Sequence, residues 1–200
     1  MAKVIINNYK GGMGKSLIAH QLITGSEFFG IEIDTFGNLS DRLPEQVQFI
    51  PVDEDFEIPD GMNIVLDMGG YKDHREDYLI SGSTLVIVPF VPTLESVMST
   101  MSMLESIKHH NTPFLFVANM VKKGKKVEAL IEDALKNFQE VLGNREIESI
   151  TIPQSDALRT AINENVSVIE LANRPGIMGT AYRPIAKKIQ ELINIVESYA

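Results

Sequence analysis

The chain has neither cysteine nor tryptophan among its 200 residues. Without thiols there is no disulfide scaffold, thiolate zinc site, cysteine-ligated iron–sulfur cluster or cysteine nucleophile. Long hydrophobic runs are missing too, since no apolar stretch approaches the roughly 18 residues that a membrane span needs. The first ten residues hold only the short run Val4-Ile5-Ile6 and lack the layout of a signal peptide. Positive charge is scarce: 18 Lys and Arg stand against 27 Asp and Glu, a formal net charge of −9. Contact with nucleic acid would therefore have to come from a local basic patch. The four histidines, His20, His74, His109 and His110, fall at no metal-ligand spacing, which weighs against zinc hydrolysis. Repeats, low-complexity tracts and linkers are absent. What is present is globular composition, 44% hydrophobic and 22% charged. The expectation is one cytoplasmic domain spanning residues 1–200, long enough to bury a sizeable core.

Short β-branched and apolar runs recur along the whole length: Val4–Ile6, Ile31–Ile33, Val47–Ile50, Asn63–Leu66, Thr84–Val88, Phe114–Val117 and Ile147–Ile152. Near-continuous apolar runs suit strands covered on both faces. Helical patterns lie between them, and this alternation predicts a three-layer, doubly wound α/β fold with a mostly parallel sheet. One helix is predicted from about Leu94 to Lys108, with Leu94, Val97, Met98, Met101, Leu104 and Ile107 on a core-facing stripe. A last helix carries Ile185, Ile189, Leu192, Ile193 and Val196 on one face. Lys187 and Lys188 are offset there by Glu191 and Glu197, so packing against the domain is favoured over a membrane surface. Asp53, Glu54, Asp55, Glu57 and Asp60 do not match a calcium loop and read as solvated.

The most informative stretch is Tyr9-Lys10-Gly11-Gly12-Met13-Gly14-Lys15-Ser16, after the first strand and before a helix over Leu17–Leu22. Glycines let the backbone fold so that its N–H groups face phosphate oxygens, and the helix N-terminus adds partial positive charge. Lys15 is placed to reach β- and γ-phosphates, and the Ser16 hydroxyl to bind magnesium. Tyr9 stands where the common phosphate-loop pattern has its first glycine, and a second lysine, Lys10, precedes the turn. Asp34 and Asp67 each end an apolar run, which sets them at the C-terminal edge of the sheet, where α/β folds bind ligands. A carboxylate there can hold magnesium through water or orient a nucleophilic water.

Lys10-Gly11-Gly12-Met13-Gly14-Lys15-Ser16 resembles the deviant Walker A loop of the ParA/MinD family of P-loop ATPases, nearest to small plasmid-partition ParA proteins. Ile31–Asn38 is similar to the family's second motif, with Asp34 on the aspartate that positions the attacking water. Ile64–Gly70 resembles its Walker B strand and switch, with Asp67 as the magnesium ligand through water and Gly69-Gly70 as the switch. Asn119 falls on the residue that reads the adenine edge, and Ile152-Pro153-Gln154 on a loop that closes over the base. The resemblance adds Leu17 to the nucleotide-binding stretch. Glu32, Thr35-Phe36, Gly69-Gly70 and Ser16-Leu17 depart from the usual family residues, and none of these changes removes a phosphate or magnesium ligand.

The resemblance implies ATP and Mg2+ as ligands and hydrolysis to ADP and phosphate. It implies a homodimer in which Lys10 reaches the partner's phosphates. It also implies nonspecific DNA binding, a centromere-binding adaptor that stimulates hydrolysis, and nucleoid association. Because the loop begins at residue 10, a protein without an N-terminal helix-turn-helix is expected. Two basic groups could meet DNA: Lys122, Lys123, Lys125 and Lys126, and the spread set Arg159, Arg174, Arg183, Lys187 and Lys188. The alternatives are a MinD-like positioning ATPase with protein or membrane cargo, a P-loop phosphoryl-transfer enzyme, and a regulator that holds nucleotide with weak hydrolysis. A membrane partner is disfavoured.

Overall fold

Each of the seven apolar runs forms a strand: β1 (Lys3–Ile6), β2 (Phe28–Glu32), β3 (Val47–Phe49), β4 (Asn63–Asp67), β5 (Leu85–Phe90), β6 (Phe114–Val121) and β7 (Glu148–Pro153). The computed structural model describes residues 1–200. The strands make one sheet in the order β3-β2-β4-β1-β5-β6-β7. Every pairing is parallel, where the sequence pattern required only a mostly parallel sheet. From β1 the chain travels one way to β2 and β3, and later the other way to β5, β6 and β7. Such a reversal opens a crevice at the strands' C-terminal ends. Register aligns that edge: Ile6 pairs with Asp67, and Asp67 with Glu32.

The helices are α1 (Lys15–Gly25), α2 (Leu39–Arg42), α3 (Glu76–Ser81), α4 (Leu94–Ile107), α5 (Lys125–Val141), α6 (Asp156–Glu164), α7 (Val168–Asn173) and α8 (Ile177–Glu197). Alternate strand residues point to opposite faces, so the sheet carries two cores. Val4, Ile6, Leu85 and Ile87 face α1, α6, α7 and α8, whereas Ile5, Val86, Val88 and Phe116 face α3, α4 and α5. The α8 stripe packs as expected, with Ile185, Ile189, Leu192, Ile193 and Val196 all buried in the first core. No helix is long and apolar enough to cross a membrane.

The α4 stripe needs correction. Leu94 and Met98 are exposed, and the buried face is Ser96, Thr100, Met103, Leu104 and Ile107. The first two turns of α4 pack on the back of the phosphate loop, so their fully buried side chains, Ser96 and Thr100, are polar, while Val97 and Met101 of the expected stripe pack half-buried against the second core. Ser96 Oγ donates to Met13 Sδ at 3.0 Å, and Thr100 Oγ1 accepts from Asn8 Nδ2 at 2.8 Å. Apolar periodicity misassigns a helix whose neighbour at one end is a loop. The acidic segment is solvated as expected, with Asp53, Glu54, Asp55, Glu57 and Asp60 all exposed. Its backbone is anchored from below by Arg75, which donates to the Pro51 and Glu54 carbonyls and forms a buried pair with Asp73.

Candidate phosphate-binding site

The loop between β1 and α1 turns back on itself through two glycines in left-handed geometry, Gly12 (φ 78°) and Gly14 (φ 91°). Such angles are strained for any residue with a Cβ. Gly14 has a second reason to be glycine, because a Cβ there would lie 2.0 Å from Asn119 Nδ2. The helix begins at Lys15, two residues earlier than the apolar pattern suggested, and Gly14 is its N-cap. No side chain satisfies the free N–H groups of the first turn, which leaves them available to an anion.

Lys15 is buried, and its Nζ donates to the carbonyls of Asn8 (3.0 Å) and Lys10 (3.3 Å) across the loop. Burial lowers its pKa, against the opposing pull of Asp67 and Asp34. Asp67, at the end of β4, is the most exceptional group in the site. Both carboxylate oxygens are buried and neither accepts a hydrogen bond of ordinary geometry, although the Ser16 hydroxyl and the Lys15 ammonium lie close enough to act on them. Burial pushes its pKa up to about 7, although Ser16 and the Lys15 ammonium act to lower it. A buried carboxylate without partners is costly, and a cation is the ordinary remedy. The residues therefore fit magnesium: Asp67 and the Ser16 hydroxyl supply hard oxygen donors of the kind that ion takes.

Asp34 lies just past β2, half-buried, and its Oδ1 accepts from Phe36 N at 3.1 Å. Glu32, which departs from the family pattern, is buried and caps α2, accepting from the backbone N–H groups of Leu39 (2.8 Å) and Ser40 (2.9 Å). Its role is to fix the segment after Asp34 rather than to face the loop. Of the switch glycines, Gly70 lies against the phosphate loop, where an added Cβ would stand 3.1 Å from Gly11 N. Tyr71, which sequence reasoning passed over, links the switch to the Asp34 segment. Its hydroxyl donates to Ile33 O at 3.2 Å and lies 3.3 Å from Thr35 Oγ1.

Two further residues emerge only in three dimensions. Tyr9 does not disturb the loop. It reaches away from it, its hydroxyl 2.5 Å from Glu76 Oε2 and 2.8 Å from Ser106 Oγ. Asn7 donates to the other Glu76 oxygen at 2.6 Å. Burial raises the pKa of Glu76 and, with Glu76 as acceptor, that of Tyr9. Glu76 thus ties the base of the phosphate loop to the helix that follows the switch. Glu95, in the first turn of α4, forms an ion pair with Lys10 within the same chain.

Asn119 ends the straight part of β6 and is buried against the loop, donating to Met13 O at 2.9 Å and accepting from Met120 N at 2.9 Å. It therefore holds the phosphate loop, a contact no sequence pattern announced. Pro153, at the end of β7, is half-buried and lines a surface cavity of about 430 Å3 with Lys122, Lys123 and Lys188. Of the two basic groups, Lys122 and Lys123 of the first and Lys188 alone of the second thus meet here, beside Glu128 and Glu132. Arg174 is committed to Glu164 and Glu170, and Lys188 to Glu191. Lys122, Lys123, Arg183 and Lys187 form no ion pair.

No protein-family sequence model matches the chain, and no curated protein sequence does. Solved structures do. An ATP complex of a McdA variant from Cyanothece superposes with a TM-score of 0.66 at 13% identity, covering 99% of this chain and 96% of that one. A ParA family ATPase from Chlorobium tepidum gives 0.65 at 19% identity, covering 96% and 97%. The fold is that of the ParA/MinD ATPases. The cell division ATPase MinD from Pyrococcus furiosus agrees, with a TM-score of 0.65 at 16% identity over 96% of this chain and 100% of that one. Within the ParA/MinD fold, the glycine loop, Asp34 and Asp67 stand together at the C-terminal ends of β1, β2 and β4.

Proposed function

We propose that the protein is an ATP-hydrolysing positioning switch that dimerises on ATP, binds nonspecific DNA as a dimer, and moves a DNA cargo with an adaptor that stimulates hydrolysis. The observation that carries the reading is Asp67, a buried carboxylate without a partner beside a glycine loop built for phosphate. In this reading the loop N–H groups and Lys15 hold the β- and γ-phosphates, and Ser16 and Asp67 hold magnesium. When bound, magnesium neutralises charge that develops on the transferring phosphoryl oxygens. Asp34 orients the attacking water. Gly70, packed against Gly11, transmits loss of the γ-phosphate to the switch and so to Tyr71 and Glu76.

Lys10 has a specific part. It is paired with Glu95 at home. To offset phosphate charge in a partner subunit it exchanges that exposed carboxylate for a buried polyanion. Such an exchange favours the dimer only when triphosphate is present. Lys122, Lys123, Lys125, Lys126, Arg183 and Lys187, none of them in an ion pair, are the cations available to a DNA face.

Retention on nonspecific double-stranded DNA, measured with ATP–magnesium and with ADP, tests the reading. Binding with ATP that ADP abolishes, together with ATP-dependent dimerisation lost in Lys10→Ala, supports it. Equal dimerisation with ATP, with ADP and in Lys10→Ala would reject the switch. Hydrolysis and dimerisation without DNA retention would redirect the cargo to a protein or membrane.

A further inference from the structure

The three-dimensional fold brings together histidines that sequence spacing kept apart from any ligand pattern. His109 and His110 follow α4, and both imidazoles turn toward Asp77 in the first turn of α3. His110 Nε2 lies 3.0 Å and His109 Nε2 lies 3.4 Å from the same carboxylate oxygen, Asp77 Oδ1. Each of the three residues offers a ligand atom within 4.8 Å of the others. We propose that Asp77, His109 and His110 form a binding site for a divalent transition-metal ion of the zinc, cobalt and nickel group.

Geometry and donor chemistry both favour it. An ion with tetrahedral arms of about 2.05 Å separates its ligand atoms by about 3.3 Å. The two carboxylate–imidazole separations, the shorter of them a hydrogen bond that the ion would replace, bracket that edge, and the imidazoles need only close from within 4.8 Å of each other. Two imidazoles and one carboxylate are the donor set of borderline metals, whereas magnesium and calcium prefer oxygen alone. Three protein ligands leave a fourth position for water. The site is also held in shape. The imidazole rings lie with centroids 4.1 Å apart. Arg145 donates to the carbonyls of His110 and Lys108, and Thr112 Oγ1 donates to Ile80 O at the other end of α3. Ligands already ordered lose less freedom on binding.

The location gives the site a consequence. α3 follows the Asp67–Asp73 segment and opens with Glu76, the acceptor for Tyr9 and Asn7. An ion on Asp77 would tie the start of α3 to the segment after α4, one residue from that network. This is independent of the nucleotide reading, because none of its three ligands belongs to the phosphate site.

The test is titration of untagged, nucleotide-free protein with Co2+ in excess Mg2+, read by visible absorption, and with Zn2+, read by calorimetry and melting temperature. The expected result is one ion per chain, the intense absorption of tetrahedral cobalt, and a rise in melting temperature at one equivalent of zinc. His110→Ala and Asp77→Asn should each weaken binding by at least about 100-fold, as loss of a direct ligand requires. His74→Ala should bind as the unaltered protein does. His109→Ala removes an exposed ring and so probes the site even if a variant at the more enclosed His110 is unstable. Unchanged affinity in His109→Ala, a weak six-coordinate cobalt spectrum, or no saturable binding would each overturn the site.

Discussion

The phosphate-loop edge of the sheet and the basic cluster beyond β6 both present charge, but they are built in opposite ways. At the loop, charge is buried and positioned by backbone: Lys15 spans two carbonyls, and Asp67 sits in a closed place without partners. Beyond β6, charge is carried by long, solvated side chains, and carboxylates claim some and spare others. A backbone-built site needs particular residues at particular positions. A charged surface needs only a sufficient number, and tertiary neighbours decide which ones are free.

The largest expected effect that sharpens this contrast is Asp67→Asn. ATP hydrolysis should fall on the order of 10³-fold, since the magnesium site loses its carboxylate. The metal-free protein should become more stable. In the folded state Asp67 is protonated up to about pH 7, while in the unfolded chain it ionises near the ordinary aspartate value of 3.8. The wild type therefore loses stability as pH rises through that window, and the Asn variant does not. The gain should be about 2–4 kcal/mol above pH 7 and should fade toward pH 4. Denaturant unfolding across that range checks it, and a variant less stable than wild type at pH 8 would break the account of a strained carboxylate.

Gly14→Ala comes next. The left-handed φ and the clash with Asn119 should together cost at least about 2 kcal/mol and remove nucleotide binding. Adding Asn119→Ala relieves the clash but not the backbone strain, so stability should return only in part. Full recovery would show that the angle carries no cost.

On the basic side, Lys122→Glu with Lys123→Glu should weaken ATP-dependent DNA retention roughly tenfold and lower its salt slope. Arg174→Ala, which removes a cation already engaged by Glu164 and Glu170, should leave DNA retention unchanged. Equal losses in both variants would erase the distinction between free and committed cations. The smallest effect is expected from Glu95→Gln. The melting temperature should barely move, because exposed pairs contribute little. The ATP concentration needed for dimerisation should fall, since Lys10 no longer leaves a partner to join the dimer. Sedimentation at graded ATP would register the change.

The seven strands were legible because each carries an apolar run: β1, β4, β5 and β6 are buried on both faces, as a parallel sheet demands, while the edge strands β3 and β7 are exposed over half or more of their residues. The phosphate loop was legible because its glycines and its Lys15-Ser16 pair are required by local backbone geometry. Tyr9 could be seen to break the common pattern, yet only the fold gave it a purpose: its partners, Glu76 and Ser106, lie 67 and 97 residues away. Asn119 on Met13, Glu95 on Lys10 and Asp77 beside His109 and His110 were hidden for the same reason. The α4 stripe misled because apolar period records burial in general and not what does the burying, and here a polar loop covers Ser96 and Thr100.

The sequence by itself determined what is local: strand runs, helix starts, a glycine turn with lysine and serine after it, and carboxylates at strand ends. Those features follow from dihedral preference and apolar spacing, which act within a few residues. Tertiary structure alone decided the order of the strands, which cations stay free, which carboxylate is buried without a partner, and which side chains meet across the sheet edge. Burial and pairing are properties of neighbours brought together by folding, so they were fixed only when the register of the seven strands set Ile6, Asp67 and Glu32 side by side.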